Sequence, residues 1–188
     1  MEKTKQTKSL NRTLNMVYIA MFAVIIAVSS WISIPFTVPF TMQTFGIFCA
    51  LGLLGGKRGT ISILIYVLLG LIGVPVFAGF SSGVGVLFGT TGGYIIGFIL
   101  SGFIYWLITK LMGNKTIVIA LAMLLGLLVC YAFGTVWFMT VYAKNTGSVG
   151  IVTALGWCVF PFIIPDILKI ALAVLITKTV PKYVKIFN

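Results

Sequence analysis

Apart from Glu2 near the start, the chain has a single acidic residue, Asp166, three residues before Lys169 in the run Phe160-Pro161-Phe162-Ile163-Ile164-Pro165-Asp166-Ile167-Leu168-Lys169. Residues at i and i+3 share a helix face, so a carboxylate and an ammonium project together from an apolar segment. Each costs about 2.5–3.5 kcal/mol at the centre of a membrane helix, and such groups face a bundle interior or a watery cavity. Two arrangements offset that cost. In one, the pair neutralises itself and staples its helix to a neighbour. In the other, it clasps a ligand that presents hydrogen-bond donors at one point and an anion at another. Pro165 suits a helix start or a kink, leaving backbone N–H groups that favour negative charge beside Asp166.

Other chemistries are excluded by residue type. With no histidine and one usable carboxylate, the chain has no metal-carboxylate cluster, no acid and base pair and no Ser-His-Asp triad. No metal site, no catalytic residue and no enzyme activity are expected. Gly52-Leu53-Leu54-Gly55-Gly56-Lys57-Arg58 has the wrong glycine spacing for a P-loop, and Arg where Ser or Thr is needed. Cys49, Cys130 and Cys158 match no metal-ligand spacing and read as buried thiols.

The elements that must position the pair follow from composition. The 188 residues are 60% hydrophobic and 8% charged, against about 25% charged in a soluble domain. Uncharged stretches run from Thr13 to Gly56, Gly59 to Thr109 and Thr116 to Ala143. A bilayer crossing takes about 20 apolar residues, so the chain reads as an all-α, multi-pass integral membrane protein. Pro35 and Pro39 split the first stretch into Leu14–Ile34 and Thr41–Leu54. Gly73-Val74-Pro75 and the glycines after it split the second into Thr60–Ile72 and Gly89–Leu111. Thr116–Tyr142 and Val152–Lys178 complete six transmembrane helices. Residues 1–13 form a basic N-terminal tail, 14–180 one membrane domain, and 181–188 a C-terminal tail.

Six crossings place both termini on one side, and the cations agree. Lys3, Lys5, Lys8 and Arg12, then Lys57 and Arg58, Lys110 and Lys115, and Lys178, Lys182 and Lys185 fall together, whereas the other three loops contain only Lys144. Positive charge marks the cytoplasmic side, so both termini are cytoplasmic. The net charge of +11 thus reports topology and calls for no nucleic acid. Trp31, Trp137, Tyr142 and Trp157 cluster at the outer interface, Tyr105 and Trp106 at the inner one. The glycine-rich stretch Phe77 to Tyr94 lies on the outer side and suits a lid. Gly89, Gly93, Gly97 and Ser101 form a small-residue ridge for close helix packing.

Five motifs in order resemble the BioY family, the biotin-binding S components of energy-coupling-factor vitamin transporters. They are Val38-Pro39-Phe40-Thr41-Met42-Gln43-Thr44, Gly55-Gly56-Lys57-Arg58-Gly59, Gly70-Leu71-Ile72-Gly73-Val74-Pro75-Val76-Phe77, Gly89-Thr90-Thr91-Gly92-Gly93-Tyr94 and Pro165-Asp166-Ile167-Leu168-Lys169. The resemblance spans Tyr18 to Ala173. It implies a six-helix bundle in a prokaryotic plasma membrane, with an outward pocket in which Asp166 and Lys169 contact biotin. The ureido N–H groups would suit the carboxylate and the valerate tail the ammonium. The family's polar contact after the third helix falls near Ser81, and Tyr94 and Gln43 match positions suited to lining the pocket or bonding helix to helix. The resemblance also implies partners: a transmembrane coupling subunit and two ATPases, so that ATP acts only in trans. Ala20, Ala23 and Ala27 would meet the coupling subunit, unless they serve internal packing. No covalent cofactor is implied. Two other readings stand beside this one: an S component for another small carboxylate vitamin, and a structural membrane protein with a buried ion pair.

Overall fold

The structure is a computed structural model that describes residues 2–183, with side chains over residues 12–180. The C-terminal tail side chains, including Lys182 and Lys185, and those of Lys3, Lys5 and Lys8 lie outside the described residues. The order is α1 (Glu2–Trp31), a hairpin of β1 (Ser33–Ile34) and β2 (Phe40–Thr41), α2 (Gln43–Leu71), a loop with short α3 (Val84–Leu87), then α4 (Gly92–Met112), α5 (Thr116–Asn145), α6 (Ile151–Cys158) and α7 (Phe160–Tyr183). Among the described residues, five helices are long and apolar enough to cross a membrane: Arg12–Trp31, Gln43–Leu71, Gly92–Met112, Thr116–Asn145 and Phe160–Val180.

The second of these is not straight. Gly55 adopts φ 78° and ψ 167°, a conformation essentially confined to glycine. Gln43 Nε2 donates to the Tyr66 hydroxyl at 2.8 Å, although a straight helix would hold them about 35 Å apart. A Cβ on Gly59 would come within 2.8 Å of Leu51 Cα. The chain therefore reverses at Gly55, and residues 43–54 and 56–71 run back along each other.

Three expected boundaries are corrected: α1 begins at Glu2, within the stretch expected as a tail, rather than at Leu14. The first helix stops at Trp31, because Ile34 precedes Pro35 and is pushed into extended backbone, where it pairs with Phe40. The final expected helix is broken at Val159 (φ −129°, ψ −56°). A continuous helix would need a donor that Pro161 lacks, so α7 restarts with Pro161 in its first turn. Pro165 consequently sits inside α7 rather than at its start.

One end of the bundle gathers the cations. Arg58 Nη1 donates to Asn15 Oδ1 at 2.9 Å, a Cβ on Gly56 would press on Trp106, and one on Gly52 would reach Thr177. Lys57, Arg58, Lys110 and Lys178 thus share that end. At the other, Trp31 Nε1 donates to the Pro75 carbonyl at 2.9 Å and the Tyr142 and Trp157 rings lie 6.0 Å apart. Tyr105, expected as an interface anchor, is instead core, with 1% of its surface exposed.

Small residues set the helix spacing. A Cβ on Gly93 would lie 2.3 Å from Trp137 Cβ, one on Gly97 would meet Cys130, and one on Gly134 would strike the Tyr94 ring. The α4 ridge therefore packs on α5. Gly89 is the exception, since its own turn backs it. On α1, Ala23 and Ala27 are buried where Gly46 of α2 approaches Ile26 and Ser29. Of the three alanines expected on a partner surface, Ala23 and Ala27 are thus covered by this chain itself, and Ala20 is exposed. Gly93→Val is expected to lower stability by about 1–3 kcal/mol, read as a fall in Tm of the detergent-solubilised protein. An unchanged Tm would contradict the close α4–α5 contact.

Candidate functional site

Helix α7 turns Asp166 and Lys169 to the same face, and both are buried, with 2% and 5% of their surfaces exposed. Lys169 Nζ lies 2.8 Å from Asp166 Oδ1. An ion pair taken out of water is stable only when further hydrogen bonds occupy the remaining donors and acceptors. Here they come from three other elements. Lys169 Nζ donates to the Thr41 carbonyl of β2 at 2.7 Å and to Thr44 Oγ1 of α2 at 3.1 Å. The Thr44 hydroxyl in turn donates to Asp166 Oδ1 at 2.9 Å, and the Tyr131 hydroxyl of α5 donates to Oδ2 at 2.5 Å. The ammonium also sits 4.3 Å from the centre of the Phe40 ring, a favourable cation–π position.

All three ammonium donors are engaged, whereas among the described residues Oδ2 receives one protein donor. A carboxylate oxygen has two lone pairs. The pair therefore keeps an acceptor position open, and it lines a cavity between α2, α4, α5, α7 and the two loops on that side.

The five residues singled out from sequence meet on this cavity: Asp166, Lys169, Ser81, Tyr94 and Gln43. Their roles differ. Ser81 Oγ donates locally to the Ala78 carbonyl at 2.7 Å, so its proton is already committed. Tyr94 shares a hydrogen bond of 3.1 Å with Thr135, so it links α4 to α5 as well as walling the space. Gln43 spends an amide proton on Tyr66. Phe77, Phe98, Leu127 and Phe162 make the remaining wall apolar, and Cys130 and Cys158 also face it as free thiols.

Thr44 and Tyr131 were not anticipated. Thr44 stands in the same sequence run as Gln43, but a threonine there is unremarkable until Lys169 lies above it. Tyr131 carried a usable signal, because it falls mid-way along an apolar helix, far from the interfaces where membrane tyrosines collect.

The BioY family model matches residues 2–186. The chain belongs to the BioY family. It is 42% identical to a BioY protein of Pyrococcus horikoshii over 85% of this chain and 91% of that one. It is 39% identical to the biotin transporter BioY of Thermotoga maritima over 86% and 92%. Among solved structures, the S-component for biotin from an ECF-type ABC transporter superposes with a TM-score of 0.79 at 27% identity, covering 100% of both chains. This BioY chain thus has the fold of an S component, that of a transporter family and not of an enzyme family.

Removing the cation should be worse than removing one donor. Lys169→Met strands a buried carboxylate and is expected to cost about 3–5 kcal/mol; Tyr131→Phe removes a hydrogen bond to a charged acceptor, about 1.5–3 kcal/mol. Thermal unfolding in detergent should rank the parent above Tyr131→Phe and Tyr131→Phe above Lys169→Met. Indistinguishable melting would mean that the pair is solvated.

Proposed function

We propose that the chain is the substrate-binding S component of a biotin uptake transporter, taking biotin from the outer side of a prokaryotic plasma membrane. The observation that carries this reading is a buried carboxylate and ammonium in contact on the wall of an otherwise apolar cavity, with an acceptor position open. Biotin joins an apolar sulfur ring and aliphatic chain to a cyclic urea whose N–H and C=O groups are neighbours. That urea matches Asp166 and Lys169 together: its N–H completes Oδ2, and its carbonyl oxygen replaces one of the acceptors now held by Nζ.

This placement revises the assignment of the valerate tail to Lys169. The sulfur ring and the chain separate biotin's urea from its carboxylate, while Asp166 and Lys169 touch at 2.8 Å. Two groups in contact address one end of the ligand. The tail then extends toward the loop that carries Ser81, with its length against Phe77 and Phe162.

The arms 43–54 and 56–71 are read as separate crossings, giving six with both termini cytoplasmic. The collection of Lys57, Arg58, Lys110 and Lys178 at one end supports that orientation. With no Walker sequence in the chain, the energy for inward release would come from a transmembrane coupling subunit and two ATPases.

Isothermal titration of the detergent-purified protein tests the site. Asp166→Asn and Lys169→Ala are each expected to weaken biotin binding at least tenfold, and undiminished binding would leave the pair a helix staple. Biotin methyl ester tests the orientation in the same experiment. If Lys169 serves the urea, Lys169→Ala weakens the ester and the acid by the same factor; a loss confined to the acid would return the carboxylate to Lys169.

A further inference from the structure

A second concavity lies on the lipid-facing side of α5, away from the biotin cavity. Phe133, Trp137 and Val141 follow at four-residue spacing, and Val136, Thr140 and Lys144 form a parallel row, so a groove runs along the helix between them. Phe88, just after α3, flanks it with its ring centre 6.4 Å from that of Trp137. Phe88 and Val136 are 67% and 66% exposed. From Phe133 to Lys144 the groove is about 17 Å long at 1.5 Å per residue. One leaflet of hydrocarbon is about 15 Å, half of a core of about 30 Å.

Apart from Thr140, whose hydroxyl donates to the Val136 carbonyl at 2.8 Å, the polar side chains of the groove stand at one end. Lys144 and the side chain of Asn145 stand there, at the end of the bundle opposite Lys57 and Arg58. Lys144 is the one cation in the three loops on that side. A cation at a helix C-terminus suits the helix dipole, but the dipole does not call for an apolar channel of leaflet depth beneath it.

We infer that this groove is a binding site for one outer-leaflet phospholipid of net negative charge, its acyl chain along Phe133, Trp137 and Val141 and its phosphate at Lys144 and Asn145. An anionic headgroup is favoured because the cationic portion of a zwitterionic one would be repelled by Lys144. The site bears on the start of α4: Trp137 Nε1 donates to the Gly89 carbonyl at 3.0 Å and the same ring backs Gly93.

The test is lipid retention. The full chain is reconstituted in nanodiscs of equal phosphatidylglycerol and phosphatidylcholine, extracted into mild detergent, and its retained lipid is quantified by native mass spectrometry. Parent protein should keep a single phosphatidylglycerol with about fivefold preference, the factor that follows from about 1 kcal/mol per lysine at a charged surface. Lys144→Glu should abolish the preference, and Val136→Trp, which fills the groove from an exposed position, should reduce retention of both lipids. Unchanged biotin titration would show that both variants are folded. Equal retention of the two lipids by the parent, or parent-like selectivity in Lys144→Glu, would overturn the proposal, as would full retention by Val136→Trp.

Discussion

A charged pair with almost no water around it constrains everything near it. Asp166 and Lys169 have 2% and 5% of their surfaces exposed, so each donor and acceptor needs a protein partner or a guest. The partners belong to β2, the first turn of α2, and the middle of α5. Helix α7 is thereby registered against three elements distant in sequence. A slide of one residue along α7 would rotate the pair by about 100° and leave two charges in hydrocarbon. The geometry that suits a ligand is also what fixes the helix.

Close approach of backbones supplies the walls. Glycines at positions 93, 97 and 134 bring α4 and α5 together tightly enough that Tyr94 and Cys130 meet the cavity from adjacent helices. The reversal at Gly55 does the same for α2, since only a hairpin places Gln43 beside Tyr66. The polar positions of this site are therefore held by packing in which glycine, rather than a bulky residue, is the necessary choice.

Charge was the most readable part of the sequence. An acidic residue and a lysine three apart in an apolar run announced themselves, because the cost of burying them demands a reason. Cations and prolines located most helix ends to within a few residues, the start of α1 at Glu2 and the break at Val159 being the exceptions. What stayed hidden depends on contacts between distant segments. Nothing local distinguishes Thr44 from any other hydroxyl near a helix start, and its importance comes from Lys169, far along the chain. The β1–β2 pairing involves two residues on each side, too few for an alternating pattern to register. Ala23 and Ala27 illustrate an ambiguity of small residues: the same spacing serves a neighbour within the chain or one outside it, and their burial is visible only in the fold.

Phe77 occupies a notch. A Cβ on Gly70 would lie 2.0 Å from the ring, and the ring meets Tyr66 edge-on at 5.6 Å, directly behind the hydroxyl that receives Gln43. A peg of this size cannot be half withdrawn, since a partial gap forfeits contacts while admitting no water. The segment between α2 and α4 is therefore pinned to α2 by this ring. The ring leans on the same tyrosine that accepts from Gln43, so the loop beside the cavity and the Gln43 wall rest on one shared side chain.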